Sequence, residues 1–339
     1  KDIKDKVIRA VGNAEDRFNE DALRMIRAVR LATETGFTIN IDTEKAILGH
    51  SDQIKEISAE RVRDEFIRII MSKNPKSGIE LLDKLGLLKY IVPELVATKG
   101  VEQNQAHAFD VWEHLLRSLQ HAADKEWSLD IRLSALFHDI SKPETRRFSR
   151  ETSQFTFYGH EVHGSRVTKK ILDRLKFPTK TTENVSKLVR WHMFFSDTET
   201  ITLSAVRRMI SNVGGDNIWD LINIRMCDRI GTGRPKENPY RLRKYESRIE
   251  EAMRDPISVA MLKINAKRIM EVTRVTPGPK IGQVLIALLE EVLEDPKLNT
   301  AEYLEKRAQE MMSLPDKQLL ELAESGKIKK NELEHENIE

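Results

Sequence analysis

One cysteine, Cys227, is all that a chain of 339 residues contains. A lone thiol excludes an intramolecular disulfide framework and any cysteine-rich zinc module. No stretch approaches the ~20 consecutive apolar residues of a membrane-spanning helix, so no membrane partner is expected. Lys1 to Arg9 alternate in charge and lack the apolar segment of a secretory signal. A cytoplasmic location is the resulting expectation. Glycine and proline are sparse, at 15 and 11 residues, too few for the many turns of a barrel or sandwich. Neither sign of charge dominates: 56 basic residues against 54 acidic ones leave a net +2, which demands no particular class of partner. The chain also lacks an initiating Met, and is read as a piece of a longer polypeptide.

What is present is helical. With 40% hydrophobic and 32% charged residues, the composition suits a soluble, mostly α-helical chain of two to three modules. Ala22, Met25, Ile26 and Val29 form a stripe of 3.6-residue period that predicts a helix over 21–35. Asn19 is its expected N-cap, Glu20 and Asp21 its acidic first turn, Phe18 and Leu23 its hydrophobic staple, and Gly36 its stop. The same period predicts helices over 58–71, 77–85, 111–123, 131–138, 162–175, 182–192, 204–210, 240–253 and 281–293. Residues 148–158 alternate instead, as a loop or short hairpin would. Pro93 and the stretch 97–105 mark a boundary, and the last eight residues carry four acids and no base, as a solvated tail would. The fold class expected is all-α.

Seven of the nine histidines lie between His107 and His192. His114 precedes the adjacent pair His138-Asp139; His160, His163 and His192 follow, and Asp228 closes the set in Met226-Cys227-Asp228-Arg229. Imidazole and carboxylate together suit divalent transition metals. Two such ions close together can clamp the oxygens of a phosphate ester and acidify a bound water. Ligands spread over several helices and pointing into a bundle are a recurrent way to hold them.

This order resembles the HD superfamily of metal-dependent phosphohydrolases, with Asp110-Val111-Trp112-Glu113-His114, Phe137-His138-Asp139-Ile140-Ser141-Lys142-Pro143 and Tyr158-Gly159-His160-Glu161 in agreement. The resemblance implies that His114, His138, Asp139 and Asp228 bind one metal and His160 and His192 a second, with Lys142 facing the substrate phosphate. The metal's identity stays open among Mn, Ni, Co, Fe and Mg. Ser141 departs from the family's usual Gly. His163, three residues after His160, is an alternative to it, and His107 and His121 are left as structural.

A second motif is Arg17-Phe18-Asn19-Glu20-Asp21-Ala22-Leu23-Arg24-Met25-Ile26-Arg27. At helical spacing Asp21, Arg24 and Arg27 share about a third of the wheel. A carboxylate beside a guanidinium suits the edge of a nucleobase, yet spacing alone favours a solvated face with an ordinary Asp–Arg pair. The segment resembles the EDxxR motif of the tRNA nucleotidyltransferase and poly(A) polymerase family, in its bacterial CCA-adding branch, with Ala22 where the family has Pro. The resemblance implies that Asp21 and Arg24 pair with the incoming CTP or ATP and that Arg27 also touches it. Glu60-Arg61 resembles the following motif, which supports the templating helix.

On this resemblance residues 1–13 are the remnant of a head–neck junction, 14–95 the neck, 96–235 the HD domain, 236–310 a helical body and tail that bind tRNA, and 311–339 a charged tail. The family's catalytic head, with its glycine-rich turn and paired aspartates for two magnesium ions, has no counterpart in this sequence; Gly214-Gly215-Asp216 lacks the second acid. Nucleotide addition by this chain alone is therefore not expected. Residues 142–180 hold ten bases against four acids, and 225–244 seven against two, surfaces that would draw a phosphate-rich partner. Alternatives that stay open are a stand-alone HD nucleotide phosphohydrolase, a poly(A) polymerase relative and a catalytically silent tRNA-binding module.

Overall fold

In the computed structural model the described residues are 2–103, 108–150, 153–194 and 201–322. His107 and residues 323–339 of the charged tail lie outside them. Nearly all regular structure is helical. Two small sheets complete it. Val7–Ile8 runs parallel to Thr38–Ile39, and Arg147–Ser149 runs antiparallel to Gln154–Thr156 with Phe148 opposite Phe155.

The helix predicted over 21–35 is observed over Leu23–Thr35, and a separate short helix that the periodicity did not show precedes it. Ala14–Glu20 is capped by Asn13, whose side chain accepts from the Glu15 N–H at 2.9 Å. Asp21 then turns extended, at φ −158° and ψ 99°, and Leu23–Thr35 starts afresh. Asn19 is thus inside a helix and caps nothing. Asp21 Oδ1 accepts from the Leu23 N–H at 3.2 Å instead, satisfying one of the free donors of the new helix. The break has a packing reason. Phe18 and Leu23 are both buried, and on one straight helix they would point about 140° apart. Gly36, at φ 71°, ends the second helix as expected.

One unit comprises Lys1–Phe194 with Trp219–Asn238. A continuous apolar core within it runs from Phe18 to Val189. Pro75–Lys84 packs closely on Leu23–Thr35 and Ala59–Ile70: a Cβ on Gly78 would fall 2.5 Å from Ile69 Cγ2 and 2.9 Å from Thr33 Oγ1. Arg132, buried in Leu129–Phe137, donates through Nη1 to the carbonyls of Ile70 (3.0 Å) and Ser72 (2.8 Å). It thereby satisfies acceptors at the C-terminal end of Ala59–Ile70. Val111–Asp124, Leu129–Phe137, His160–Arg174, Thr179–Trp191 and Ile218–Gly231 build the histidine-bearing half. Ile218–Gly231 was invisible to periodicity because Leu221, Ile222, Ile224 and Cys227 bury more than one of its faces.

The second unit comprises Phe195–Ile218 and Pro239–Glu339. Its core gathers Val284, Leu288 and Val292 of Pro279–Glu294 with Leu304, Ala308 and Met311 of Ala301–Met312. Arg207 closes the end of the first of these helices. Its Nε donates to Leu293 O at 2.7 Å and its Nη2 to Glu294 O at 2.9 Å, while Nη1 pairs with Asp255 at 2.9 Å. A cation on helix C-terminal carbonyls is favoured by both hydrogen bonding and the helix dipole.

Candidate metal centre and nucleotide cleft

Five helices of the first unit deliver ligand-type side chains to one place. Asp110 caps Val111–Asp124, its Oδ1 accepting from the Glu113 N–H at 2.8 Å, and sets His114 in the first turn. His138 and His192 occupy the C-cap positions of their helices, and His160 opens His160–Arg174. Each ring folds back onto nearby backbone: Nδ1 of His138 meets Ala135 O at 2.9 Å, that of His160 meets Phe157 O at 2.7 Å, and that of His192 meets Val189 O at 2.7 Å. A carbonyl can only accept, so each Nδ1 carries a proton and each Nε2 is the ring atom turned inward.

These atoms and His114 Nε2 converge. His114 Nε2 lies 2.8 Å from His138 Nε2, and His160 Nε2 lies 3.3 Å from His192 Nε2. Asp139 stands between the two pairs. Its Oδ2 is 3.1 Å from His114 Nε2 and 3.5 Å from His138 Nε2, and its Oδ1 is 3.2 Å from His160 Nε2 and 3.6 Å from His192 Nε2. Asp228 Oδ1 is 3.5 Å from His114 Nε2 and 3.8 Å from His138 Nε2. Five of the side chains are buried and that of Asp228 nearly so, and they fall into two groups with ligand atoms within 4.8 Å: His114, His138 and Asp228, then Asp139, His160 and His192. Opposed lone pairs in a dry interior repel one another unless a cation or proton lies between them. The imidazole–carboxylate donor set therefore fits a divalent metal.

The electrostatics agree. Burial alone would raise the Asp139 carboxyl, but the Lys142 ammonium, His138 and the adjacent His114 and His160 hold it well below the usual carboxylate range. Burial is likewise outweighed at Asp228, by Arg225 at 2.5 Å and by His138 and His114. Burial, helped by the neighbouring His138 and His160, pushes His192 down to about 4. At neutral pH the carboxylates are ionised and His192 is neutral, the forms that ligate metals.

Lys142 Nζ is buried 2.7 Å from Asp139 Oδ2 and 2.7 Å from Gln103 Oε1. Ser141 sits at φ −97°, where glycine is not required, and its Oγ meets His163 Nδ1 at 3.1 Å. His163 is drawn outward to Glu144, at 2.9 Å, and is not part of either ligand group. His121 pairs with Glu237 at 2.9 Å, outside both groups. A residue that sequence reasoning passed over is Gly231. A Cβ there would lie 2.2 Å from Ser118 Oγ and 2.7 Å from His114 O. Ser118 Oγ itself donates to His114 O (2.8 Å) and Cys227 O (3.1 Å), so the Asp228 helix rests directly on the His114 helix. The glycine was visible in the sequence, but its neighbour was not.

A second concavity, of about 450 Å³, is lined by Phe18, Asn19, Asp21, Gln53, Ile57 and Arg61, among others. Asp21 Oδ2 accepts from Arg61 Nη2 at 2.8 Å. Burial would raise this carboxyl, but Arg61, the Leu23 N–H and Arg27 bring it below its ordinary value. Arg24 Nη1 bonds Glu20 Oε2 at 2.6 Å and Arg17 O at 3.1 Å. Arg27 Nε bonds Glu65 Oε1 at 2.9 Å, and Glu65 Oε2 pairs with the buried Arg30 at 2.7 Å. Glu65 therefore braces Arg27 of the motif together with Arg30. An acid on the buried stripe Val62, Phe66, Ile69 was the signal that could have found it. Glu60 is exposed in the first turn of the same helix, outside the cleft lining.

Residues 36–98 match a family described as the probable RNA and SrmB-binding site of polymerase A, and residues 111–217 match the HD domain. The chain is 33% identical over 283 residues to the CC-adding tRNA nucleotidyltransferase of Thermus thermophilus, an overlap covering 81% of this chain and 63% of that protein. It is 30% identical over 299 residues to the A-adding tRNA nucleotidyltransferase of Deinococcus radiodurans, covering 85% and 68% respectively. In fold it is similar to the CCA-adding enzyme of Bacillus stearothermophilus solved in complex with CTP, with a TM-score of 0.61 at 22% identity over 91% of this chain and 66% of that one. The chain thus spans about two thirds of the length of the relatives it matches.

Proposed function

The chain belongs to the tRNA nucleotidyltransferase and poly(A) polymerase family, and from that premise we propose that it selects CTP and ATP and holds tRNA during 3′-end nucleotide addition. The selecting site is the Asp21 cleft. An ionised carboxylate only accepts hydrogen bonds. Cytosine and adenine both offer an exocyclic amino donor at the corresponding edge, where guanine and uracil offer a carbonyl. Asp21 is thus matched to C and A and opposed to G and U. Arg24 and Arg27 supply donors for a ring nitrogen and a phosphate. The bonds that now hold Arg24 are between half-exposed groups and are worth only about 0–1 kcal/mol each, so a nucleotide displaces them at little cost. Arg61 supports the motif by holding Asp21. Transfer itself, with its magnesium, is assigned to a catalytic head module. Residues 14–95 serve as neck, 96–235 as HD domain and 236–310 as tRNA-binding body, with 311–339 a charged tail.

The ionised Asp21 held by Arg61 inside the cleft carries this reading. Calorimetric titration of this chain with the four ribonucleoside triphosphates should show CTP and ATP bound more tightly than GTP and UTP. Equal affinity for all four would sink it.

The six-residue cluster favours a second activity, metal-dependent hydrolysis of a phosphate ester such as a 2′,3′-cyclic, 2′- or terminal phosphate. Mn, Ni, Co or Mg would be held by His114, His138, Asp228, Asp139, His160 and His192. Such a metal supplies Lewis acidity at a phosphoryl oxygen and a water of lowered pKa. Lys142 keeps the shared Asp139 ionised and puts a buried positive charge beside it, where a phosphate oxygen is stabilised. A 2′,3′-cyclic nucleotide should be hydrolysed with added divalent metal, not with chelator, and not by His138→Ala. Turnover that survives both treatments would remove the reading.

A further inference from the structure

The hairpin between Lys142 and His160 is not used by either activity above, and its side chains are unusual for a surface turn. Phe148 and Tyr158 are 59% and 61% exposed. Phe148 packs edge-on against Phe155, with ring centroids 5.5 Å apart and planes at 73°. The Arg146 guanidinium lies 3.6 Å from the Phe155 centroid, and Glu102 approaches that guanidinium at 3.5 Å. Arg147 and Arg150 are exposed on the same hairpin. Aromatic faces interleaved with guanidinium groups are what a single nucleic-acid strand requires. Bases stack on the rings or on Arg, and phosphates meet the positive charge. A duplex keeps its base faces stacked internally and cannot use them.

The hairpin is also built into the rim of the metal centre. Phe157, which follows its second strand, accepts the His160 N–H (3.1 Å) and orients His160 Nδ1 (2.7 Å) through its carbonyl. The Phe157 ring lies 5.4 Å from Lys142 Nζ. We propose that this hairpin is a stacking platform for a nucleobase of a single RNA strand, whose terminal phosphate ester is thereby directed to the His/Asp cluster. The first half of this statement stands on the hairpin; the second rests on the phosphohydrolase reading. It narrows the substrate of the cluster from phosphate esters in general to nucleotide-bearing ones.

Fluorescence anisotropy of the whole chain with a short labelled oligoribonucleotide tests the platform. The double variant Phe148→Ala/Tyr158→Ala should bind about tenfold more weakly, within the range that base–aromatic stacking supplies. Phe148→Tyr, which keeps the ring, should bind as the unaltered chain does. An abasic oligomer of equal length should bind the unaltered chain as weakly as the double variant binds RNA. Equal affinity of the unaltered chain and the double variant would overturn the proposal. So would equal affinity for abasic and normal oligomers, which would show a response to charge alone. In hydrolysis of a nucleoside 2′,3′-cyclic phosphate, the double variant should show a KM raised about tenfold with kcat retained. If the unaltered chain hydrolyses no ester while the anisotropy difference holds, the phosphohydrolase reading and the phosphate-directing half fall together, and the platform stands.

Discussion

Asp21 shows how much one carboxylate can decide when its backbone is taken out of a helix. Extended at this position, it spends one oxygen on the Leu23 N–H and the other on Arg61, and both bonds favour the ionised form. Its pKa is below the ordinary carboxylate value, so the group stays ionised at neutral and mildly acidic pH. The sign follows: preference for C and A should be flat from pH 8 to pH 5, since neither charge nor acceptor character changes there. Asp21→Asn replaces one acceptor by a donor and should admit G and U, reducing discrimination about tenfold or more. Nucleotide titrations of both chains at several pH values check this, and a preference that varied between pH 5 and 8 would point to another group. The motif arginines were legible from the sequence and their partners were not. Glu65, which braces Arg27 and Arg30 together, lies 38 residues from the first and on another helix. Helical spacing predicts neighbours three and four apart; it says nothing of a partner brought in by packing.

At the scale of elements, the metal centre depends on how closely two helices approach. Val111–Asp124 and Ile218–Gly231 meet where Gly231 faces His114 O and Ser118 Oγ. Gly231→Ala puts a methyl 2.2 Å from Ser118 Oγ, far inside contact distance, so the helices must part. Overpacking of this kind costs about 1–3 kcal/mol. Because His114 and Asp228 sit on these two helices, divalent-metal affinity should fall about 10- to 100-fold, as when the support of a ligand is disturbed. Calorimetry with a divalent metal and a thermal melt measure the two effects; unchanged metal affinity would show that the helix contact does not set the ligand geometry. Amphipathic helices such as Ala59–Ile70 and Val111–Asp124 were readable because one apolar stripe alternates with a wet face. The break at Asp21 was not, since its cause is the need to bury both Phe18 and Leu23, a demand of the core and not of the local chain.

For the molecule as a whole, the turn signals at residues 93–105 do not interrupt the core of the first unit, which continues from the neck helices into those bearing the histidines. Arg132 on the Ile70 and Ser72 carbonyls and the Lys76–Glu113 pair at 2.5 Å tie the two stretches together. Among the described residues no helix is long and apolar enough to cross a membrane. The sequence by itself determined the helical class, the stripes that bury each helix, and the residue types available for metal and nucleotide, because periodicity and side-chain chemistry are local properties. Only the tertiary structure decided which of those side chains meet. His160 enters the cluster while His163 turns to Glu144; Asp139 stands between two ligand groups; Gly231 sets a helix contact. Each of these depends on residues tens to a hundred positions apart, whose juxtaposition is settled by the burial of apolar faces and is written in no single stretch of chain.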